Sequence, residues 1–215
     1  YNKTTYKMKP KFIVAIAGNI GSGKSTLSKY LSEKWKFDIL EEPEAKNPFI
    51  KKFYKDPERW AFHSQLFFLT ERANLQLRIE KNSSNIILDR TIYEDAEIFA
   101  KILLNESEYK IYKKIYEHYL EIITPPNFII YLRTSVDTLM ERIKIRGRGY
   151  EKTIRRNYIK KLNDRYEEWI KNFKISPVLT IDTDKYEIYS LFGDIEEIRK
   201  NIEEFFWRMN ERRTN

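Results

Sequence analysis

The chain has 215 residues, 41% of them hydrophobic, and its 40 lysines and arginines against 32 acids give a net charge of +8. That is enough apolar material for one α/β domain with its own core. The absence of cysteine excludes disulfides and thiolate metal sites, and no apolar stretch approaches the roughly 18 residues that a membrane span needs.

No Pro/Gly/Ser linker, repeat or low-complexity tract divides the chain, so one domain over 1–215 is expected, with 1–10 as a flexible N-terminal extension. A cytoplasmic setting is the expectation, with an organellar address ahead of Tyr1 left open. Lysine and glutamate are intermixed in segments such as 151–171, so most of the positive charge reads as solvated surface, not as a nucleic-acid-binding face.

The first predicted element is a buried strand over 12–17, Phe-Ile-Val-Ala-Ile-Ala. Directly after it comes Gly18-Asn19-Ile20-Gly21-Ser22-Gly23-Lys24-Ser25-Thr26, which fits G-x-x-x-x-G-K-[ST] and leads into a predicted helix over 24–34. Glycines let the backbone wrap phosphate oxygens and aim its N–H groups at them from a helix N-terminus. Lys24 then reaches the β/γ-phosphates and the Ser25 hydroxyl suits Mg²⁺, so ATP and Mg²⁺ are the expected cofactors.

A second strand over 37–41 runs into Glu42-Pro43. A carboxylate fixed at a strand end beside a proline suits a general base toward a hydroxyl, with Glu41 and Glu44 as alternatives by composition. The predicted helix over 58–81 places Phe62, Leu69 and Ala73 on one face, yet Gln65 and Arg72 lie there too. A buried amide and guanidinium need partners. Gln65 suits a base edge, and Arg72 needs an anion such as Asp95, either in a ligand site or as an internal ion pair.

The third strand, 85–89, ends in Asp89, the apolar-strand-then-carboxylate arrangement that P-loop proteins use toward Mg²⁺, and Arg90 follows into the same crevice. Helices over 92–104 and 107–123 precede a fourth strand over 127–132. A helix over 135–146 then carries Arg142 and Arg146 and gives way to Gly147-Arg148-Gly149. Three arginines beside glycines suit a short lid, about 142–151, that closes over a triphosphate. A helix over 152–172, a strand over 177–182 and a helix over 193–211 complete the alternation. It implies a three-layer fold: five parallel strands flanked by helices, with ligands beyond the strands' carboxyl ends.

These residues resemble the deoxyribonucleoside kinases. The match runs in order through Gly18–Thr26, Glu42-Pro43, Tyr54-Lys-Asp-Pro-Glu-Arg-Trp60-Ala-Phe-His-Ser-Gln65, Arg72, Asp89-Arg90-Thr-Ile-Tyr-Glu-Asp95 and Arg142-Ile-Lys-Ile-Arg146-Gly-Arg148-Gly-Tyr-Glu151. The resemblance implies the P-loop kinase fold and transfer of the ATP γ-phosphate to a deoxynucleoside 5′-hydroxyl. In that scheme Glu42 takes the hydroxyl proton, and Arg90 holds the oxygen and the incoming phosphoryl group. Asp89 assists Mg²⁺ alongside Ser25. Tyr54 and Glu151 bind the 3′-hydroxyl, Gln65, Arg72 and Asp95 read the base, and Arg142, Arg146 and Arg148 form the lid. The family's habit implies a homodimer, expected to use Ile98, Phe99, Ile102 and Leu103 and part of 155–172.

The Arg72/Asp95 pair and the Gly-Tyr-Glu after the lid favour a purine, deoxyadenosine first, then deoxyguanosine and deoxycytidine. The alternatives are a thymidylate kinase-like nucleoside monophosphate kinase and a nucleic-acid-binding P-loop ATPase. The first would need a further cation for the substrate's own phosphate.

Overall fold

The computed structural model describes residues 12–41, 43–82, 84–186 and 194–214. The expected extension 1–10 and Glu42 lie outside the described residues.

A five-stranded, all-parallel sheet forms the centre: β1 (Ile13–Gly18), β2 (Asp38–Leu40), β3 (Ile86–Asp89), β4 (Phe128–Arg133) and β5 (Val178–Asp182), in the order β2-β3-β1-β4-β5. Every residue of β1 is buried because helices cover both of its faces. On one face Ala15, Ala17, Leu88, Ile129 and Tyr131 join Leu69, Tyr112, Tyr166 and Trp169 in the larger core. On the other, Val14, Ile16, Ile130 and Leu132 pack with Leu27, Leu31, Ile195, Ile198 and Ile202.

The helices are α1 (Lys24–Trp35), α2 (Ile50–Lys55), α3 (Pro57–Ile79), α4 (Ile92–Glu94), α5 (Lys101–Leu103), α6 (Glu106–Ile122), α7 (Val136–Arg146), α8 (Arg156–Asn172) and α9 (Asp194–Thr214). Local chemistry sets their ends. Asp56 accepts from the Arg59 N–H ahead of Pro57 at the start of α3. Asn105 and Glu108 form a reciprocal capping box on α6, and α7 stops at Gly147 with φ 66°.

Three features depart from the expected elements. The helix expected over 92–104 runs without a break from Ile92 to Leu103 but carries a π-helical turn at Asp95–Ala100 between α4 and α5. The expected helix over 152–172 starts at Arg156, after a 3₁₀ stretch at Gly149–Thr153. The short α2 fills a region to which the sequence pattern assigns no element. Of the residues expected at a dimer surface, Ile98 and Phe99 are buried within the chain itself, where their turn packs on α3, α6 and α8, while Ile102 and Leu103 are half-buried. Helix α8 turns Ile159, Leu162, Tyr166 and Trp169 inward.

Candidate functional site

The parallel register carries β1, β3 and β4 to a common carboxyl edge, where Ile16 stands beside Asp89 and Gly18 beside Leu132. The chain leaves β1 in the phosphate loop. Gly21 and Gly23 adopt φ 85° and 97°, and a Cβ on Gly21 would stand 3.0 Å from the Leu139 carbonyl. Gly23 caps α1 without a side-chain acceptor, and the helix has no acid in its first turn, so its N–H dipoles face the cavity undiluted. Lys24 folds back over the loop, its Nζ donating to the carbonyls of Gly18 at 2.8 Å and Asn19 at 2.9 Å. The Asn19 amide is held by the Ile159 carbonyl and Asn163 of α8, both at 3.1 Å, which fixes the loop from outside.

The Ser25 hydroxyl donates to Asp89 Oδ2 at 2.6 Å. A hydroxyl and a carboxylate at the edge of a phosphate loop are the hard oxygen donors that Mg²⁺ takes when the phosphates themselves complete its shell. Among the described residues no group of three or more His, Cys, Asp or Glu side chains could cage a metal without a ligand. The donor set therefore fits Mg²⁺ held with a nucleotide.

Arg90 follows Asp89 with φ 80°, the left-handed region that non-glycine residues rarely enter. Its guanidinium is buried, lies 4.5 Å from the Phe99 ring centroid, and donates from Nη1 to the Tyr166 hydroxyl at 2.8 Å. Glu94 stands next to it, fully buried, and burial pushes its carboxyl above the usual carboxylate range despite the opposing pull of Arg90 and Lys24.

Arg72 of α3 reaches across to the π-helical turn, donating from Nε to Asp95 Oδ2 at 2.7 Å and from Nη1 to the Asp89 carbonyl at 3.1 Å. Gln65 lies two turns earlier on α3, buried, with no hydrogen bond from a described residue. Both sides of the expected helix anomaly are thus met: Arg72 has its carboxylate, and Gln65 faces a cavity.

That cavity, about 500 Å³, is lined by Lys24 and Ser25 of the phosphate loop, by Gln65 and Asp95, and by the apolar Ile50, Phe53, Phe68 and Phe99. Asp89, Arg90, Tyr54, Glu151, Arg142, Arg146 and Arg148 line it too. Of the lid arginines, Arg142 is buried and pinned, donating to the Thr183 hydroxyl, the Thr183 carbonyl and the Tyr186 carbonyl at 3.0–3.3 Å. Arg146 forks onto Glu151 at 2.5 and 3.1 Å. Arg148 bonds Glu44, which also accepts from Tyr150 at 2.9 Å, and the Tyr150 ring stacks on Tyr54 at 5.5 Å. Burial pushes the Tyr150 hydroxyl up to about 12, the Glu44 charge adding to it, and raises the Glu151 carboxyl in spite of Arg146. Glu41, by contrast, is exposed and pairs with Lys29 at 3.3 Å.

Glu94 and Tyr166 were missing from the expected site. Thr91-x-x-Glu94 reads as a helix-capping box, which it is, and Tyr166 falls on the apolar stripe of α8, where an aromatic reads as core.

The Deoxynucleoside kinase family model matches residues 14–206. The chain is 37% identical over 199 residues to the deoxyadenosine/deoxycytidine kinase of Bacillus subtilis, covering 88% of this chain and 91% of that protein. It is 36% identical over 199 residues to the deoxyguanosine kinase of the same organism, covering 89% and 96%. Among solved structures it resembles a deoxyadenosine kinase from M. mycoides with bound dATP, at a TM-score of 0.77 and 34% identity, over 89% of this chain and all of that one.

Proposed function

Since the chain belongs to the deoxynucleoside kinase family and is an ATP-dependent phosphotransferase of that kind, we propose that its preferred acceptor is a purine deoxynucleoside, deoxyadenosine first. The observation that carries this reading is the meeting of phosphate loop and candidate base-reading side chains in one cavity, with Gln65 and Asp95 on its wall and Arg72 behind Asp95, bonded to it. Gln65 offers an acceptor to the adenine amino group and a donor to a ring nitrogen. Asp95, held by Arg72 behind it, would set a thymine methyl against a desolvated ion pair.

The cavity supports the following division of labour. Lys24 and the α1 N-terminus hold the triphosphate, and Arg90 steadies the 5′-oxygen and the phosphoryl group in flight. Glu42, two residues beyond β2, takes the hydroxyl proton on the strength of the family resemblance. Tyr54 and Glu151 meet the 3′-hydroxyl. Arg142 supplies a fixed cation, while Arg146 and Arg148 exchange their carboxylate partners for phosphate oxygens when the lid engages. Ser25 and Asp89 would hold Mg²⁺, which supplies charge neutralisation at the β- and γ-phosphate oxygens. A homodimer belongs to the same reading, with the exposed Ile111 and Ile122 of α6 as apolar surface suited to a second copy.

The test is a phosphorylation panel of the four deoxynucleosides and thymidylate with ATP. Deoxyadenosine is expected to give the highest kcat/KM, and thymidine as the best acceptor would overturn the base-site reading.

A further inference from the structure

Gly18, Arg90 and Thr91 meet on a single buried carboxylate. Glu94 Oε1 accepts from the Gly18 N–H at 3.2 Å and from the Tyr166 hydroxyl at 2.9 Å, and lies 3.9 Å from Arg90 Nη1. Its Oε2 accepts from the Thr91 N–H at 2.8 Å and the Thr91 hydroxyl at 3.2 Å. The Tyr166 oxygen in turn accepts from Arg90 Nη1 at 2.8 Å. One carboxylate and one phenol thereby join the first residue of the phosphate loop to the guanidinium across the site.

We propose that Glu94 and Tyr166 are positioning residues for phosphoryl transfer, holding the Arg90 side chain in register with the phosphate loop. The proposal rests on Arg90 acting at the transferred group. Two facts give the pair that task beyond plain packing. The Arg90 backbone is in a left-handed conformation that surrounding contacts must maintain, and its side chain is fixed by the Tyr166 hydroxyl at one nitrogen and by Phe99 against its face. Helix α8 carries both Tyr166 and the Asn163 that ties down Asn19, so the same helix sets the phosphate loop and the arginine relative to each other. Misplacement of a transition-state cation costs rate while leaving ground-state binding nearly intact.

The Tyr166 ring is independently packed, stacked on Tyr131 at 5.9 Å and edge-on to Phe99 and Trp169 at 6.3 Å each. Tyr166→Phe therefore removes one oxygen and keeps the fold. At saturating ATP and deoxyadenosine its kcat is expected to fall about tenfold or more, with both KM values within about threefold of wild type. Glu94→Gln sets an NH₂ among donors and is expected to fall further. The double variant should match Glu94→Gln alone, because carboxylate and phenol act in series on Arg90. In an Arg90→Ala background, Tyr166→Phe should be silent. A kcat for Tyr166→Phe within about fivefold of wild type, a KM change beyond about threefold, or an equal drop in the Arg90→Ala background would overturn the proposal. If Glu94→Gln does not fold, the Tyr166 variant in the two backgrounds decides alone. Wild-type kcat in Arg90→Ala itself would sink the underlying assignment of Arg90, a result separate from failure of the relay.

Discussion

Arg72 Nε sits 2.7 Å from Asp95 Oδ2, and both side chains are buried. The pair ties α3 to the π-helical turn, so it fixes Asp95, which lines the cavity, from a second element. Removing one member leaves an uncompensated buried charge and should cost about 3–5 kcal/mol of stability.

Joint replacement is the informative experiment. Arg72→Leu with Asp95→Leu leaves no orphan charge, so the double variant should melt above either single one. Its preference for deoxyadenosine over thymidine should shrink by about tenfold or more, since each mismatched desolvated polar group costs about 1–3 kcal/mol. An unchanged kcat/KM ratio would remove the pair from base recognition.

Proton abstraction is tested at Glu42. Glu42→Gln keeps the shape and loses the base, so kcat should drop by ~10²–10⁴ with little change in deoxynucleoside affinity. A loss below about tenfold would move the role to Glu41, which also lines the cavity, or to no side chain at all.

Lys24 and Arg146 should separate binding from chemistry. Lys24→Ala removes a charge that meets the triphosphate throughout, so both nucleotide affinity and rate should fall. Arg146 is paired with Glu151 at 2.5 Å and sits on the proposed lid, so Arg146→Ala should act on kcat with the ATP KM within about threefold. An intact kcat would reduce the lid cluster to surface charge.

Alkaline pH tests the core beside the site. Burial pushes the Tyr93 hydroxyl up to about 12, helped by the Glu80 charge. The folded chain therefore holds a proton that the unfolded chain releases near pH 10, and stability should fall as pH rises from about 10 toward 12, by up to roughly 2–3 kcal/mol. Denaturant midpoints across that range should decline, and Tyr93→Phe should decline less. Parallel slopes for the two proteins would show that Tyr93 carries none of the effect.

The order of strands and helices was legible because each strand is a short apolar run flanked by polar residues, and because the phosphate-loop motif marks the β1–α1 junction. Asp89 and Arg90 were legible for the same reason: a polar pair ending an Ile-Ile-Leu run has few places to go in a parallel sheet. Gln65 and Arg72 stood out as polar residues on an apolar helix face. The π-helical turn was not legible, since Asp95–Ala100 has the composition of an ordinary helix and the extra residue per turn is imposed by packing against α3 and α8. Ile98 and Phe99 looked like surplus apolar surface because a linear pattern does not reveal how many layers will cover a helix. Glu94 escaped because a capping box explains its identity fully, and only three-dimensional proximity adds Gly18 and Tyr166 to its partners.

Arg90, with its φ of 80°, occupies a backbone position where glycine or asparagine would sit more comfortably. Conformational energy on the order of 1–3 kcal/mol is retained there in the folded chain. The buried partners Glu94 and Tyr166 offset that strain for arginine, since its loss would leave Glu94 as an uncompensated buried charge. The bend after β3 is thus a point where backbone preference and side-chain pairing ask for different residues, and glycine there would relieve the backbone while leaving Glu94 unpaired by its cation.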